Sequence, residues 1–322
     1  MIKSVRDIAP YLTDEKLAGE FIQNLRWPDG VVSCPLCEKD GAKVYECSGL
    51  NADRKQWKCS ACRKKFSVTS RSIFEGSHIP LGKWIYAIYL MCSSKKGVSS
   101  NQLKRELGIS YKSAWFITHR IREAIKVEPM ASMLGMDGAV VEIDETFVGG
   151  KARNNLHANK GPKATRKAVV ATVIERDGPV KTAHVPNTKK KTLQDLAKPI
   201  VDSSANIMTD ANVSYEGLDQ HFRSHHAVDH SKTFVRSVII HTNFAESYHS
   251  LLKRGIIGTF HQLSDKHLFR YLNEFDYRWN TRKMTDGERT VRVIEAAPKK
   301  RLTYRAGANS LIGADKDRLP GG

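Results

Sequence analysis

The spacing of apolar residues changes along the chain, from helical periodicity in its first part to strand-like alternation further on. In "GVSSNQLKRELGISYKSAWFITHRIREAI" (97–125), apolar residues recur every three or four positions, which predicts helices. "GAVVEIDETFVGG" (138–150) alternates instead, which predicts a strand with Glu142 and Asp144 on one face and Glu145 on the other. The pattern therefore predicts a helical part followed by a part that contains a sheet.

The segments that follow extend this sheet. Two strands joined by a turn are predicted over 166–187, a helix over 189–204, and a strand over 205–215 that ends at or near Asp210. "HTNFAESYHSLLKRG" (241–255) has the spacing of an amphipathic helix. Its polar side carries Asn243, Glu246, Ser250 and Lys253. The order of three strands, a helix, a strand and a later helix is that of a ribonuclease-H-like α/β domain with a mixed sheet.

The helical segment 97–125 has the layout of a helix-turn-helix. A short helix is predicted to end at Gly108, and a second helix begins near Ser110 with Ala114, Ile117 and Ile121 on its inward side. The residues expected on the outward, DNA-facing side are Lys112, Ser113, His119 and Arg120. Many helical hairpins share this layout, so the assignment to DNA binding also needs support from charge and composition.

The composition supplies that support. Hydrophobic residues make up 40% of the 322 residues, which is ordinary for a globular protein, but the net charge of +18 is not ordinary. Such an excess of Lys and Arg favours a polyanionic partner, most simply nucleic acid. No apolar run is long enough to span a bilayer, and the N-terminus lacks the apolar stretch of a secretory signal. We therefore expect a cytoplasmic, nucleoid-associated protein of a prokaryote, with no membrane partner.

Four cysteines form two Cys-x-x-Cys pairs with 21 residues between them. The predicted ligands of one structural Zn2+ are Cys34, Cys37, Cys59 and Cys62. In a reducing compartment this arrangement indicates metal binding rather than disulfides, because two short turns can hold four thiolates tetrahedrally around one ion. Trp57 and Phe66 flank the second pair and are expected to form a small core beside it.

The acidic residues of the later part suit phosphodiester chemistry. Mg2+ or Mn2+ prefers carboxylates together with water and phosphate oxygens, and pairs of such ions catalyse in-line displacement at phosphorus. Asp144 and Asp210 are expected at two strand ends, and 35 residues separate Asp210 from Glu246 on the helix. Glu142 or Glu145 could take the place of Asp144, and a polar helix face is usually only solvated. The combination of strand order and spacing favours a catalytic metal site.

These segments resemble the bacterial insertion-sequence transposases of the DDE type, in the subfamily with an N-terminal zinc ribbon. The matching motifs are the two cysteine pairs, "VEIDETFVGG", "IMTDANVSY", "HTNFAESYHSLLKRG" and "FHQLSDKHLFRYLNEFDYRWNTR". The resemblance implies that Asp144 and Asp210 bind the catalytic metal. At the third position the subfamily has an Asn, a Glu or both, and this sequence has both. We assign Glu246 as the third ligand, Asn243 as an auxiliary ligand or substrate contact, and Lys253 as a phosphate or base contact.

The resulting expectation is an α+β multidomain protein. The predicted parts are an N-terminal helix and zinc ribbon (1–75), a helix-turn-helix region (76–130), a ribonuclease-H-like catalytic domain (131–285) and a loosely ordered C-terminal tail (286–322). The basic stretch 149–167 is expected to be a long loop that contacts DNA or an unstructured insertion.

The expected activity is DNA transposition. The ribbon and helix-turn-helix would bind double-stranded DNA at the terminal inverted repeats, and the catalytic domain would nick the ends and join them to target DNA. Because both ends must be held together, we expect a homodimer or a higher oligomer on DNA. Two alternatives remain: a nuclease of the same fold without strand transfer, and a DNA-binding protein descended from a transposase.

Overall fold

A computed structural model gives the architecture of the chain. It describes residues 2–47, 55–126, 133–149, 167–228, 241–261 and 263–302. The chain divides into two compact units, one formed by Met1–Ile125 with Lys283–Gly322 and the other by Lys126–Arg282. Most of the basic stretch expected to form a loop at 149–167 lies outside the described residues. Within the described part, no helix has the length and apolar character needed to cross a membrane.

The first unit contains a small antiparallel sheet and six helices among its described residues. Its strands are β1 (Val44–Glu46), β2 (Gln56–Cys59) and β3 (Lys65–Ser67), and its helices are α1 (Ala9–Thr13), α2 (Glu15–Arg26), α3 (Leu81–Ser93), α4 (Ser100–Leu107), α5 (Tyr111–Ile125) and α9 (Asp286–Glu295). Trp57 and Phe66 are cross-strand partners on β2 and β3, with ring centroids 5.9 Å apart. Trp27 packs against Trp57 at 5.5 Å. The small core predicted beside the cysteines is confirmed.

Helices α4 and α5 form the predicted helical hairpin. The side chain of Ser99 accepts the backbone N–H of Gln102 at 3.1 Å and caps α4. Gly108 ends α4 with a φ of 62°, a left-handed conformation in which a side chain would be strained. The inward residues of both helices are buried: Leu103, Leu107, Ala114, Ile117 and Ile121.

The expectation that His119 and Arg120 face outward is wrong. His119 is fully buried, and its ring centroid lies 4.1 Å from that of Trp115. Arg120 is also buried and donates to the carbonyl oxygens of Ile73 at 2.7 Å and Leu302 at 3.0 Å. The periodicity of α5 identified one apolar side, but α3, α4 and α9 all pack on this helix, so its C-terminal half is enclosed on several sides.

The C-terminal region also differs from the loosely ordered tail that was expected. Helix α9 begins with a capping box in which the Thr285 and Glu288 side chains each accept a backbone N–H from the other residue. Its buried residues Val293 and Ile294 belong to the face that packs in the first unit, where α9 contacts α3. The Thr-x-x-Glu sequence before an apolar pair was the signal for this helix. Residues 303–322 lie outside the described part.

The second unit is built on a five-stranded mixed sheet. Its strands are β4 (Val140–Val148), β5 (Ala168–Glu175), β6 (Val180–Val185), β7 (Asn206–Asp210) and β8 (Ser224–Val228), and its helices are α6 (Lys190–Ala197), α7 (Asn243–Gly255) and α8 (Asp265–Asn280). The strand order is β6-β5-β4-β7-β8, antiparallel from β6 to β4 and parallel from β4 to β8. The predicted α+β class with a mixed sheet is confirmed. Strand β8 was missed because its residues are polar and histidine-rich.

The two faces of this sheet have separate cores. Residues Val141, Ile143 and Ile207 face the side covered by α6. The opposite side is covered by α7 and α8, whose Tyr248 and Phe275 pack with apolar residues of β5 and β6. Because side chains alternate along a strand, Glu142 and Asp144 point to the α7 side. The sheet therefore presents its acidic residues to the helix that carries Asn243, Glu246 and Lys253.

Candidate functional site

The four predicted cysteine ligands come together in the first unit. Their ligand atoms all lie within 4.8 Å of one another, with Cys34 Sγ 3.7 Å from Cys62 Sγ and Cys37 Sγ 3.7 Å from Cys59 Sγ. Four sulfurs at the usual Zn–S length on a tetrahedron are about 3.8 Å apart. The geometry therefore fits a structural Zn2+.

The protonation chemistry of these thiols also fits a cation. Backbone N–H groups of Cys62 and Ala61 lower the pKa of Cys59 to about 7. Burial raises the pKa of Cys34 to about 11. Cys59 is therefore partly ionised near neutral pH, whereas the Cys34 thiol ionises only when a metal ion binds, because a bound metal ion deprotonates the thiols that coordinate it.

The two predicted aspartates lie on neighbouring parallel strands; Asp210 ends β7 as expected, but Asp144 lies in the middle of β4 and not at its end. Ile143 on β4 is the register partner of Thr209 on β7, so Asp144 and Asp210 are the next residues along each strand. Asp144 accepts the backbone N–H of Glu145 at 2.8 Å, and Asp210 accepts that of Asn212 at 3.2 Å. In a parallel pair, register neighbours point to the same face of the sheet. Both carboxylates therefore belong to the face that α7 covers.

Glu145 adds a third carboxylate next to Asp144, on the opposite face of the sheet. Its side chain accepts hydrogen bonds from the Tyr215 hydroxyl and, at 3.1 Å, from the Asn212 amide. Burial raises the pKa of Glu145, and the charges of Asp210 and Asp144 raise it further, against the hydrogen bond from Tyr215. Burial raises the pKa of Tyr215. The charge of Glu145 raises it further, as do those of Asp144 and Asp210. Acidic groups are thus concentrated around Asp144, Glu145 and Asp210, as a cation site requires.

The predicted residues of α7 lie on its solvent side. Asn243, Glu246 and Lys253 are all exposed, and Glu246 is in the first turn of the helix. Across the described residues, only the four cysteines bring three or more metal-ligating groups within 4.8 Å of one another. The carboxylates of Asp144, Asp210 and Glu246 are therefore not gathered at ligand distance from one another.

His249 is a residue of this site that the sequence analysis missed. It is three residues after Glu246 on α7, buried, with Nδ1 3.4 Å from Oδ2 of Asp144. Its Nε2 lies 2.9 Å from the hydroxyl oxygen of Thr172, the register partner of Asp144 on β5. His249 follows Glu246 by three residues, close to one helical turn, but its side chain is buried against the sheet whereas that of Glu246 is exposed. That spacing was the available signal.

A second polar link joins α7 to the sheet through α8. The Tyr248 hydroxyl donates to Asp276 Oδ1 at 2.6 Å, and the hydroxyl of Thr182 donates to the same oxygen at 2.9 Å. Burial raises the pKa of Asp276 to about 6, against the hydrogen bonds that favour its charged form. Tyr248 is thus linked to β6 through Asp276, and the next residue, His249, contacts Asp144 on β4 and Thr172 on β5.

The remaining predicted DNA contacts lie at the start of α5. Lys112 is exposed and Ser113 is half-buried, next to Tyr111, which is 50% exposed. Ser113 donates its backbone N–H to the Ser110 side chain at 3.1 Å, so the first turn of the helix is ordered. The first turn of the second helix is the part of a helix-turn-helix that contacts bases.

The class of protein is defined by a four-cysteine ribbon and a mixed α/β domain with acidic residues on two interior strands of its sheet. Comparison with known proteins gives the family. Residues 135–280 match the ISXO2-like transposase domain, and residues 13–65 match the transposase zinc-ribbon domain. A Halobacterium salinarum protein described as an uncharacterized protein in transposable element ISH50 is 25% identical over 297 residues, which cover 88% of this chain and 97% of that protein. The chain belongs to the zinc-ribbon-bearing insertion-sequence transposases.

Proposed function

We propose that this protein binds double-stranded DNA at the terminal inverted repeats of its element and catalyses Mg2+- or Mn2+-dependent cleavage and strand transfer. The observation that carries the proposal is the placement of Asp144 and Asp210 at adjacent positions on two parallel strands. The sheet order, with the first strand between the second and the fourth, supports a ribonuclease-H-like catalytic domain.

The donor chemistry of the carboxylates on β4 and β7 fits a hard cation. Asp144 and Asp210 would hold it, with Glu246 as third ligand and Asn243 as an auxiliary ligand or substrate contact. When bound, Mg2+ supplies a Lewis acid that stabilises charge on the phosphate and its leaving oxygen. Because Mg2+ sites commonly include several waters and substrate phosphate oxygens, two aspartates on neighbouring strands with a third ligand from α7 would suffice.

The chain's own residues hold and orient this centre. His249 contacts Asp144 and Thr172 at once, which restricts the carboxylate to one orientation. Asn243 and Glu246 share one side of α7 by their spacing of three. Lys253, in the last turn of α7, is free to reach into solvent and serves as a phosphate or base contact.

DNA binding is assigned to the first unit. Lys112 and Ser113 are the proposed contacts from α5, and the cysteine ribbon adds a second binding element. The net charge of +18 supports attraction of DNA before any specific contact forms. Because two element ends must be joined in one reaction, we propose a homodimer or higher oligomer on DNA, acting in the cytoplasm at the nucleoid.

The test uses purified chain, Mg2+ and a labelled duplex that carries the element end. A transposase produces both a cut end and a longer product joined to target DNA, and Asp144→Ala removes both products while retaining DNA binding. Cleavage without any joined product would instead identify a nuclease of this fold. Binding with neither product, in wild type and variant alike, would identify a DNA-binding protein.

A further inference from the structure

Glu142 is a buried carboxylate to which the proposed catalytic roles give no task. It lies on β4 two residues before Asp144 and on the same face of the sheet, and its side chain is 0% exposed. A carboxylate removed from water is destabilised by several kcal/mol unless hydrogen bonds and an opposite charge compensate it. Its surroundings therefore indicate what it does.

One carboxylate oxygen of Glu142 caps helix α7. Oε2 accepts the backbone N–H groups of Phe244 at 2.9 Å and Ala245 at 3.0 Å, which belong to the first turn of the helix. These N–H groups have no partner within the helix. The residue at the N-cap position, Thr242, makes no side-chain capping bond. A side chain of the central strand thus supplies the cap that the preceding residue does not.

The other oxygen joins Glu142 to the residues around the helix start. Oε1 is 2.8 Å from Arg176 Nε and 3.3 Å from His241 Nδ1. Arg176 also donates through Nη2 to the carbonyl oxygen of His241 at 2.7 Å, and its backbone N–H donates to Val140 at 3.0 Å. Strand β4, the turn after β5 and the entry to α7 are therefore held by one charge cluster.

We propose that Glu142 is a positioning residue that fixes the first turn of α7, with Asn243 and Glu246, relative to Asp144. Glu142 and Asp144 share one strand and are two residues, or roughly 7 Å, apart along it. Glu142, which caps the helix, is therefore held at a fixed distance along the strand from Asp144, the proposed metal ligand. His249 fixes the second turn of the same helix on Asp144. The inference rests on the proposed function only in giving Asn243 and Glu246 a task at the metal centre.

The test compares Glu142→Ala and Glu142→Gln with Val173→Ala. Val173 is a fully buried residue of the core on the opposite face of the sheet, so its truncation destabilises the same unit without touching α7. Three quantities are measured for each variant: amide exchange in a peptide that contains Phe244 and Ala245, Mn2+ affinity, and single-turnover cleavage of a labelled end.

In Glu142→Ala we expect exchange at the start of α7 to accelerate at least about tenfold, and Mn2+ affinity and cleavage to fall about 10–100-fold. Glu142→Gln retains an acceptor oxygen for the helix N–H groups. Its exchange rate, Mn2+ affinity and cleavage rate should therefore lie between those of Glu142→Ala and wild type. Val173→Ala should lower the melting temperature while leaving exchange at the start of α7 and Mn2+ affinity as in wild type.

Unchanged exchange in Glu142→Ala would overturn the proposal, as would equal losses of Mn2+ affinity in Val173→Ala. The exchange measurement needs neither DNA nor metal, so it tests the contact between Glu142 and α7 even if the protein proves not to cut DNA. Failure of the proposed function would appear separately, as cleavage that persists in Asp144→Ala.

Discussion

His249 on α7 holds its Nδ1 atom 3.4 Å from Oδ2 of Asp144 on β4, while its Nε2 atom lies 2.9 Å from the Thr172 hydroxyl on β5. One imidazole thus contacts two adjacent strands at register partners. The ring is buried, so its orientation is set by these contacts and by packing. This relationship connects the helix that carries Glu246 to the aspartate proposed to bind metal.

Replacing His249 should weaken catalysis without weakening DNA binding. His249→Ala frees the Asp144 carboxylate to rotate, and removal of such a supporting contact at a metal site reduces affinity or activity by about 10–100-fold. Single-turnover cleavage and a gel-shift titration measure the two properties. His226→Ala, at an exposed histidine of β8 in the same unit, is the matched control and should behave as wild type. Equal cleavage rates for the two variants would contradict this role.

Asp276 should make the stability of the second unit pH-dependent. Its pKa is raised from 3.8 to about 6, so its contribution to stability is complete below about pH 4 and is lost as the pH rises through about 6. A shift of this size corresponds to about 3 kcal/mol. Asp276→Asn removes the titrating group. The difference in unfolding free energy between variant and wild type, from urea melts at pH 4 to 7, should therefore move in the variant's favour as pH rises. A constant difference would refute the assignment.

Loss of the metal should unfold the ribbon locally. Cys37→Ser removes one of the four close sulfurs, and a domain this small depends on its metal for folding. We expect bound zinc to fall below one equivalent and the fluorescence of Trp27 and Trp57 to shift toward that of exposed indole. Cys47→Ser removes a cysteine outside the four-sulfur cluster and should retain full zinc content. Zinc loss in both variants, or in neither, would contradict the four-cysteine assignment.

Both Lys112 and Arg120 were expected to contact DNA, but their substitutions should have different effects. Replacing Lys112 should weaken DNA binding, and replacing Arg120 should lower stability. Lys112→Ala removes an exposed charge, so binding to the element end should weaken and its salt slope should fall by about 1. Arg120→Ala leaves the carbonyl groups of Ile73 and Leu302 without their donor, which should destabilise the first unit by on the order of 3 kcal/mol. Thermal melts and salt-dependent titrations distinguish the two effects. An unaltered melting temperature in Arg120→Ala would be inconsistent with its burial.

The sequence predicted the parts of this protein whose patterns are local. The cysteine spacing, the helical hairpin around Gly108 and the first four strands of the sheet all depend on neighbours in sequence, and the structure confirms them. The burial of His119 and Arg120 could not be predicted from local sequence patterns. It depends on tertiary packing, because α3, α4 and α9 all pack on α5 and the carbonyl groups that Arg120 bonds belong to the distant residues Ile73 and Leu302.

The tertiary partners of the acidic residues were also beyond the sequence pattern. Glu142 was considered only as a substitute for Asp144, but it binds the start of a helix that begins 101 residues later. Glu145 was left as an alternative ligand, and its hydrogen bonds from Tyr215 and Asn212 were not predicted. The alternation along β4 correctly placed Glu142 and Glu145 on opposite faces of the sheet. It could not identify their hydrogen-bond partners, because those partners come from distant segments of the chain.

Strand transfer by Asp144→Asn and Asp210→Asn tests the central claim most directly. These variants keep the shape of each side chain and remove the charge that binds a cation. With a labelled element end, target DNA and Mg2+, the account predicts that wild type forms joined product, that both variants lose it by at least about a thousandfold, and that both still bind the end. Joined product at the wild-type rate from either variant would contradict the account.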